Sequence, residues 1–108
     1  MIVVMYSFSV HAVQHETIYK GLYTWGYEVH TFRPCKEKEI FWVSFNWAGI
    51  EMQRYYKQSQ VLPYQPMYVE FRGQILEELV GGFAQEYDGL IRLSEVKTFS
   101  FKIPDHCK

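Results

Sequence analysis

Two cysteines 72 residues apart constrain this chain more than any other feature of its sequence. Cys35 closes the run GLYTWGYEVHTFRPC, residues 21–35, and Cys107 is the next-to-last residue. The run reads as the end of one strand and the whole of the next. Thr17 to Trp25 carries apolar side chains on both phases, with Tyr19, Tyr23 and Trp25 on one and Ile18 and Leu22 on the other, and Gly21 in the middle permits the bend of a closing barrel. Gly26 supplies a turn, Val29 to Arg33 forms a second strand, and Pro34 ends it because proline has no N–H for a ladder. A bond from Cys35 to Cys107 would tie that strand to the far end of the chain. Closing so long a loop removes unfolded-state entropy worth about 4 kcal/mol. The bond is the expectation and two unpaired buried thiols are the alternative. A metal site is not expected, since neither cysteine has a Cys-x-x-Cys or paired-histidine spacing around it.

A length of 108 residues leaves room for one domain. Exported domains of this size use disulfides to supplement a limited core, so the expected bond implies an oxidising compartment. Residues 1–12, MIVVMYSFSVHA, agree with that: they are mostly apolar, carry no ionisable side chain besides His11 and Tyr6, and end in a small residue, as a secretory signal does. The alternative is an ordinary edge strand or a loose end, and residues 13–108 are the expected folded domain. No apolar run reaches the roughly 20 residues of a membrane span, so none is expected. A formal charge of −1 and a pI near 6.4 supply no field able to neutralise several phosphates, which disfavours nucleic acid as a partner.

The remaining chain continues the strand pattern with one interruption. Ile40 to Trp47, IFWVSFNW, is dense in β-branched and aromatic residues and is predicted to be a central strand. Ala48, Met52, Tyr55 and Tyr56 then recur at helical spacing, predicting a short helix over 49–58. VLPYQP, residues 61–66, is a proline-broken connector. In Met67 to Gly73 the residues Met67, Val69 and Phe71 alternate with Tyr68, Glu70 and Arg72, the pattern of a half-buried strand. Residues 75–87 read as a long loop with a helical turn, because Gly81 and Gly82 spoil the helical spacing of their apolar neighbours. Leu90 to Ile103 is a last strand whose inner face, Ile91, Leu93, Phe99, Phe101 and Ile103, is interrupted by Glu95 and Lys97. A strand passing from one packed region to another would explain the interruption.

Strand, strand, strand, helix, strand, strand is the order of an OB-fold, a five-stranded Greek-key barrel with its helix between strands three and four. Within that order lie Gly21-x-Tyr23, Gly26-x-Glu28, Thr31-Phe32-x-Pro34-Cys35, Trp42-Val43, Pro66-x-Tyr68-Val69-Glu70-x-x-Gly73, and Glu95-Val96 ahead of Cys107. This set, spread over residues 21–107, resembles the C-terminal OB domain of NlpE-type envelope lipoproteins and their single-domain relatives. The resemblance implies a disulfide near the end of the barrel, a periplasmic or secreted location in a bacterial envelope, and a non-enzymatic role in binding or stress sensing with an envelope protein as partner. That group is also associated with copper tolerance, but this chain carries no Cys-x-x-Cys motif and no lipid-bearing cysteine after its apolar start.

Catalytic chemistry finds little support. Gly81-Gly82 lacks the further glycines and the lysine of a phosphate loop. His106 beside Cys107 could be a base with its nucleophile, yet sequence neighbours rarely align for proton transfer and Cys107 has a use in the disulfide. Glu28 and His30 share a strand face and read as a surface pair. Met1, Met5, His11 and His15 carry soft and imidazole donors, but their spacing fits no defined metal site. No catalytic residue, metal or other cofactor is therefore expected. The alternative to a protein partner is a small ligand, an oligosaccharide or peptide, stacked on a platform of Tyr19, Tyr23, Trp25 and Trp42. Core packing is the competing account of those four rings. The sequence carries no sign of oligomeric state.

Overall fold

The computed structural model describes residues 16–27, 29–44, 46–59, 62–76 and 87–108. The expected N-terminal segment over 1–12, its candidate metal donors, Glu28 and the Gly81-Gly82 pair lie outside them. Five strands form a closed barrel: β1 (Thr17–Gly26), β2 (Val29–Pro34), β3 (Phe41–Val43), β4 (Met67–Leu76) and β5 (Leu90–Ser100). An α-helix, α1 (Trp47–Gln58), lies between β3 and β4 as expected. β1 pairs antiparallel with both β2 and β4, β4 with β5, and β3 joins β2 antiparallel and β5 parallel. The resulting order, β1-β2-β3-β5-β4 and back to β1, is OB-like.

The core follows the strand alternation. Met67, Val69 and Phe71 are fully buried as their spacing predicts, and their partners on β1, Tyr23, Gly21 and Tyr19, share the same inner face. Phe32 packs edge-on against Phe71 with ring centroids 4.7 Å apart. Gly21 makes that contact possible, since a Cβ there would overlap the Arg33 carbonyl oxygen and stand 2.7 Å from the Phe32 ring. Ala48, Met52 and Tyr56 of α1 complete the cluster, with Tyr55 stacked on Phe99 and Tyr56 edge-on to Phe101.

β5 departs from a constant phase. Its register with β4 slips between Glu70 and Phe71 and again between Arg72 and Gly73, so that Lys97 and Ser94 each stand unpaired as bulge residues. Each extra residue reverses the alternation. Ile91 and Leu93 face inward, Val96 takes the core position opposite Phe71, and Phe99 resumes opposite Val69. The interruption at Glu95 and Lys97 is this double reversal. Regular pairing stops at Ser100, before the predicted end at Ile103, and Ile103 packs outside the barrel.

Three other expectations are corrected. The strand predicted over Ile40 to Trp47 is three residues long, because Asn46 caps a helix in its place: its side-chain oxygen accepts from the Gly49 N–H at 3.0 Å and its amide donates to the Leu93 carbonyl. α1 therefore begins at Trp47, two residues early, with Trp47 turned to solvent. Ile75 and Leu76, assigned to a loop by their helical spacing, extend β4 and pair with Ile91 and Leu90.

A second, smaller cluster lies on the outer surface. Beyond β5 the chain folds back over β1 and β4, where Leu22, Tyr68 and Cys107 are buried together with Cys35 and Ile103 against them. Cys35 and Cys107 are bonded, with Cα atoms 4.4 Å apart, and no described cysteine is free.

Candidate functional site

One end of the barrel gathers exposed apolar side chains on a backbone held by hydrogen bonds. β1 ends at Gly26, and Tyr27 turns the chain toward β2; opposite it, the connector from α1 to β4 brings in Leu62 and Tyr64. Tyr27 is 78% exposed, Leu62 77% and Tyr64 49%. Tyr64 has φ of 69°, the left-handed region that a bulky side chain avoids at a cost of about 1–3 kcal/mol. Three contacts hold it there. Its N–H donates to the Trp25 carbonyl at 2.7 Å, its hydroxyl donates to the Tyr27 carbonyl at 3.0 Å, and its ring lies on Gly26, where a Cβ would overlap it. The Tyr56 hydroxyl, from α1, donates its one proton to the Gln65 carbonyl at 2.5 Å, with the Leu62 carbonyl 3.2 Å away, and ties the connector to the helix; burial pushes its pKa up. Lys57 Nζ sits 4.8 Å above the Trp25 ring and adds a cation beside the patch.

Of the four rings expected to form a ligand platform, Tyr23 is fully buried and cannot stack on a ligand from solvent. Its inward phase is fixed by pairing with Met67 and Phe32, and its hydroxyl has no hydrogen-bond partner among the described residues. Burial raises its pKa, with the neighbouring Tyr56 adding to the effect. Tyr19 is half-buried against Phe71 and Phe32, and Trp25 against Tyr56. Trp42 lies elsewhere, on the outer phase of β3, with its ring 5.4 Å from that of Tyr87. The four residues therefore do not form one surface. The sequence reading missed Tyr27, Leu62 and Tyr64 because they fall in turns, where no periodicity marks a side chain; the one available signal was apolar residues beside Gly26 and Pro63.

His30 is not a surface residue. It pairs with Trp25 on the inner phase of β2, is 2% exposed, and donates from Nδ1 to the Val43 carbonyl at 3.0 Å, with its ring edge-on to Tyr23. Burial lowers its pKa to about 4, against an opposing contribution from the Val43 hydrogen bond. An unfolded histidine titrates near pH 6.5. Between those values the unfolded chain binds a proton that the folded chain refuses. His30 therefore contributes stability above pH 6.5 that is lost as pH falls toward 4, by roughly 3 kcal/mol at completion. Urea unfolding of the native chain at pH 7 and pH 4 should register this loss, and His30→Gln should remove most of the difference. Equal pH dependence in the two proteins would show that another group dominates.

On the outer surface, the Tyr68 hydroxyl donates to Glu70 Oε2 at 2.7 Å, so His106 Nε2, 3.2 Å away, is placed to donate its own proton to the phenol oxygen. The Tyr68 pKa is pushed up to about 12 by burial first and by Glu70 second. His106 is thus engaged with Tyr68, and Cys107, as half of a disulfide, has no thiolate to offer as a nucleophile. Among the described residues no group of three His, Cys, Asp or Glu side chains could hold a metal ion, and no helix is long and apolar enough to cross a membrane. No protein-family model, curated protein or solved structure matches this chain.

Proposed function

We propose that this chain is a non-enzymatic binding and stress-sensing module of the bacterial envelope, periplasmic or secreted, that engages a protein partner through the barrel end formed by Tyr27, Leu62 and Tyr64. The observation that carries the reading is the exposure of these three apolar side chains on a backbone held by specific contacts, at a position where Tyr64 keeps an unfavourable conformation. A patch of protruding aromatic and aliphatic groups whose backbone is already held in place loses little conformational entropy on association, the property of an interface anchor. The Cys35–Cys107 bond supports an oxidising compartment, and the resemblance of the motifs over residues 21–107 to those of NlpE-type OB domains is the ground for reading that compartment as a bacterial envelope.

Cross-linking capture from bacterial envelope extracts, with the disulfide-bonded chain as bait, tests the reading. One protein should be enriched by the native chain, and the Tyr27→Ser, Leu62→Ser double variant should lose at least ten-fold of that enrichment while keeping its circular dichroism spectrum. Both side chains are largely in solvent, so the fold does not depend on them. Enrichment unchanged by the double substitution would reject this end of the barrel as the interface.

A further inference from the structure

The outer face of β1 and β2 carries a groove distinct from the barrel end. Leu22, Thr24, Thr31, Arg33, Ile40 and Pro66 line about 210 Å³ of it. The strand register explains its shape. Thr24 pairs with Thr31, and their short side chains make the floor; Leu22 pairs with Arg33 one step along the strands, and Pro66 and Ile40 stand at the two sides. Leu22 is fixed from the other side by Tyr68 and Cys107, so the tail and its disulfide support this wall.

Among the described residues the polar side chains of the groove have no partner. Arg33 is exposed, and among the described residues no carboxylate lies within ion-pair distance of its guanidinium. The side-chain hydroxyls of Thr24 and Thr31 likewise make no hydrogen bond to a described residue. One cation and two hydroxyls surrounded by Leu22, Ile40 and Pro66 suit a ligand with one anionic end and one apolar body. We propose that the groove binds the C-terminal residue of a peptide, its terminal carboxylate paired with Arg33 and its apolar last side chain lying between Leu22, Ile40 and Pro66.

Size and charge choose this occupant over others. An apolar cavity of about 150 Å³ takes a benzene-sized molecule, so the groove accommodates one leucine-sized side chain with its carboxylate and not a long chain. A neutral sugar would cover the guanidinium without pairing it. A nucleic-acid strand needs a track of cations along its phosphates, and Arg33 is the one cation among the six lining residues. The planar guanidinium matches a carboxylate with two parallel hydrogen bonds.

The test is amide-resolved NMR on the full chain, titrated with acetyl-glycyl-leucine, with the same peptide as its C-terminal amide, and with maltose. The free acid should shift the amides of Thr24, Thr31, Arg33 and Ile40, and the amide form should bind at least ten-fold more weakly. Arg33→Gln, which removes an exposed side chain and should leave the fold intact, should erase the difference between acid and amide; Thr31→Val should weaken the acid on its own. Equal binding of acid and amide would overturn the proposal. So would maltose shifting the same residues, or the absence of groove shifts at millimolar acid.

Discussion

Phe71→Ala should lower folding stability by about 3–5 kcal/mol, the range for truncating a buried phenylalanine. Phe71 is fully buried, meets Phe32 edge-on at 4.7 Å and Tyr19 at 5.7 Å, and faces Val96 across the bulged ladder. It therefore touches three of the barrel's five strands, and its removal leaves a void that none of them can fill without breaking the pairing of another. Urea unfolding gives the number. Phe71→Leu should cost well under half as much, and Trp47→Ala, an exposed control on α1, should stay within about 0.5 kcal/mol. A loss below 1 kcal/mol for Phe71→Ala would mean that the ring is not at the centre of the core.

Loss of the disulfide should be of similar size. The Cys35→Ala, Cys107→Ala double variant should be about 4 kcal/mol less stable than the oxidised chain, since the bond closes a loop of 72 residues. Total stabilities of domains this size run to roughly 5–15 kcal/mol, so the bond accounts for a large share. Reducing the native chain should lower its denaturation midpoint to that of the double variant. Intact-mass measurement after alkylation checks the premise: the oxidised protein should take up no label until it is reduced, and two labelled thiols in the native protein would refute the pairing.

The barrel order, the helix position and the disulfide were legible because each left a local mark. β4 wrote its alternation directly, as Met67, Val69 and Phe71 are inward and buried. The burial of Tyr68 left no such mark, because it depends on a tail some 35 residues away folding over the strand. β3 was overestimated because strand propensity in Ser44 to Trp47 competes with a capping asparagine, and the cap won through a second hydrogen bond to Leu93 that is not visible locally. The bulges at Ser94 and Lys97 were visible only as a fault in the phase. Trp25 was read as one ring of a platform with Tyr19, Tyr23 and Trp42, whereas the residues that protrude at the barrel end, Tyr27, Leu62 and Tyr64, lie in turns. Arg33 attracted no attention in sequence because its lack of an ion-pair partner among the described residues is a property of the assembled face.

The bond between Cys35 and Cys107 also turns most of this molecule into a covalent ring. Residues 36–106 lie within it, and so do β3, α1, β4 and β5, while β1 and β2 remain on the open arm. A single peptide cleavage in the ring, for example in the exposed connector at Leu62, would open the backbone without releasing a fragment. Its two pieces would stay joined through sulfur and through β1, which pairs with β2 on one side and β4 on the other. In a compartment that contains proteases, a nick at the exposed barrel end would thus be survivable for as long as the compartment stays oxidising.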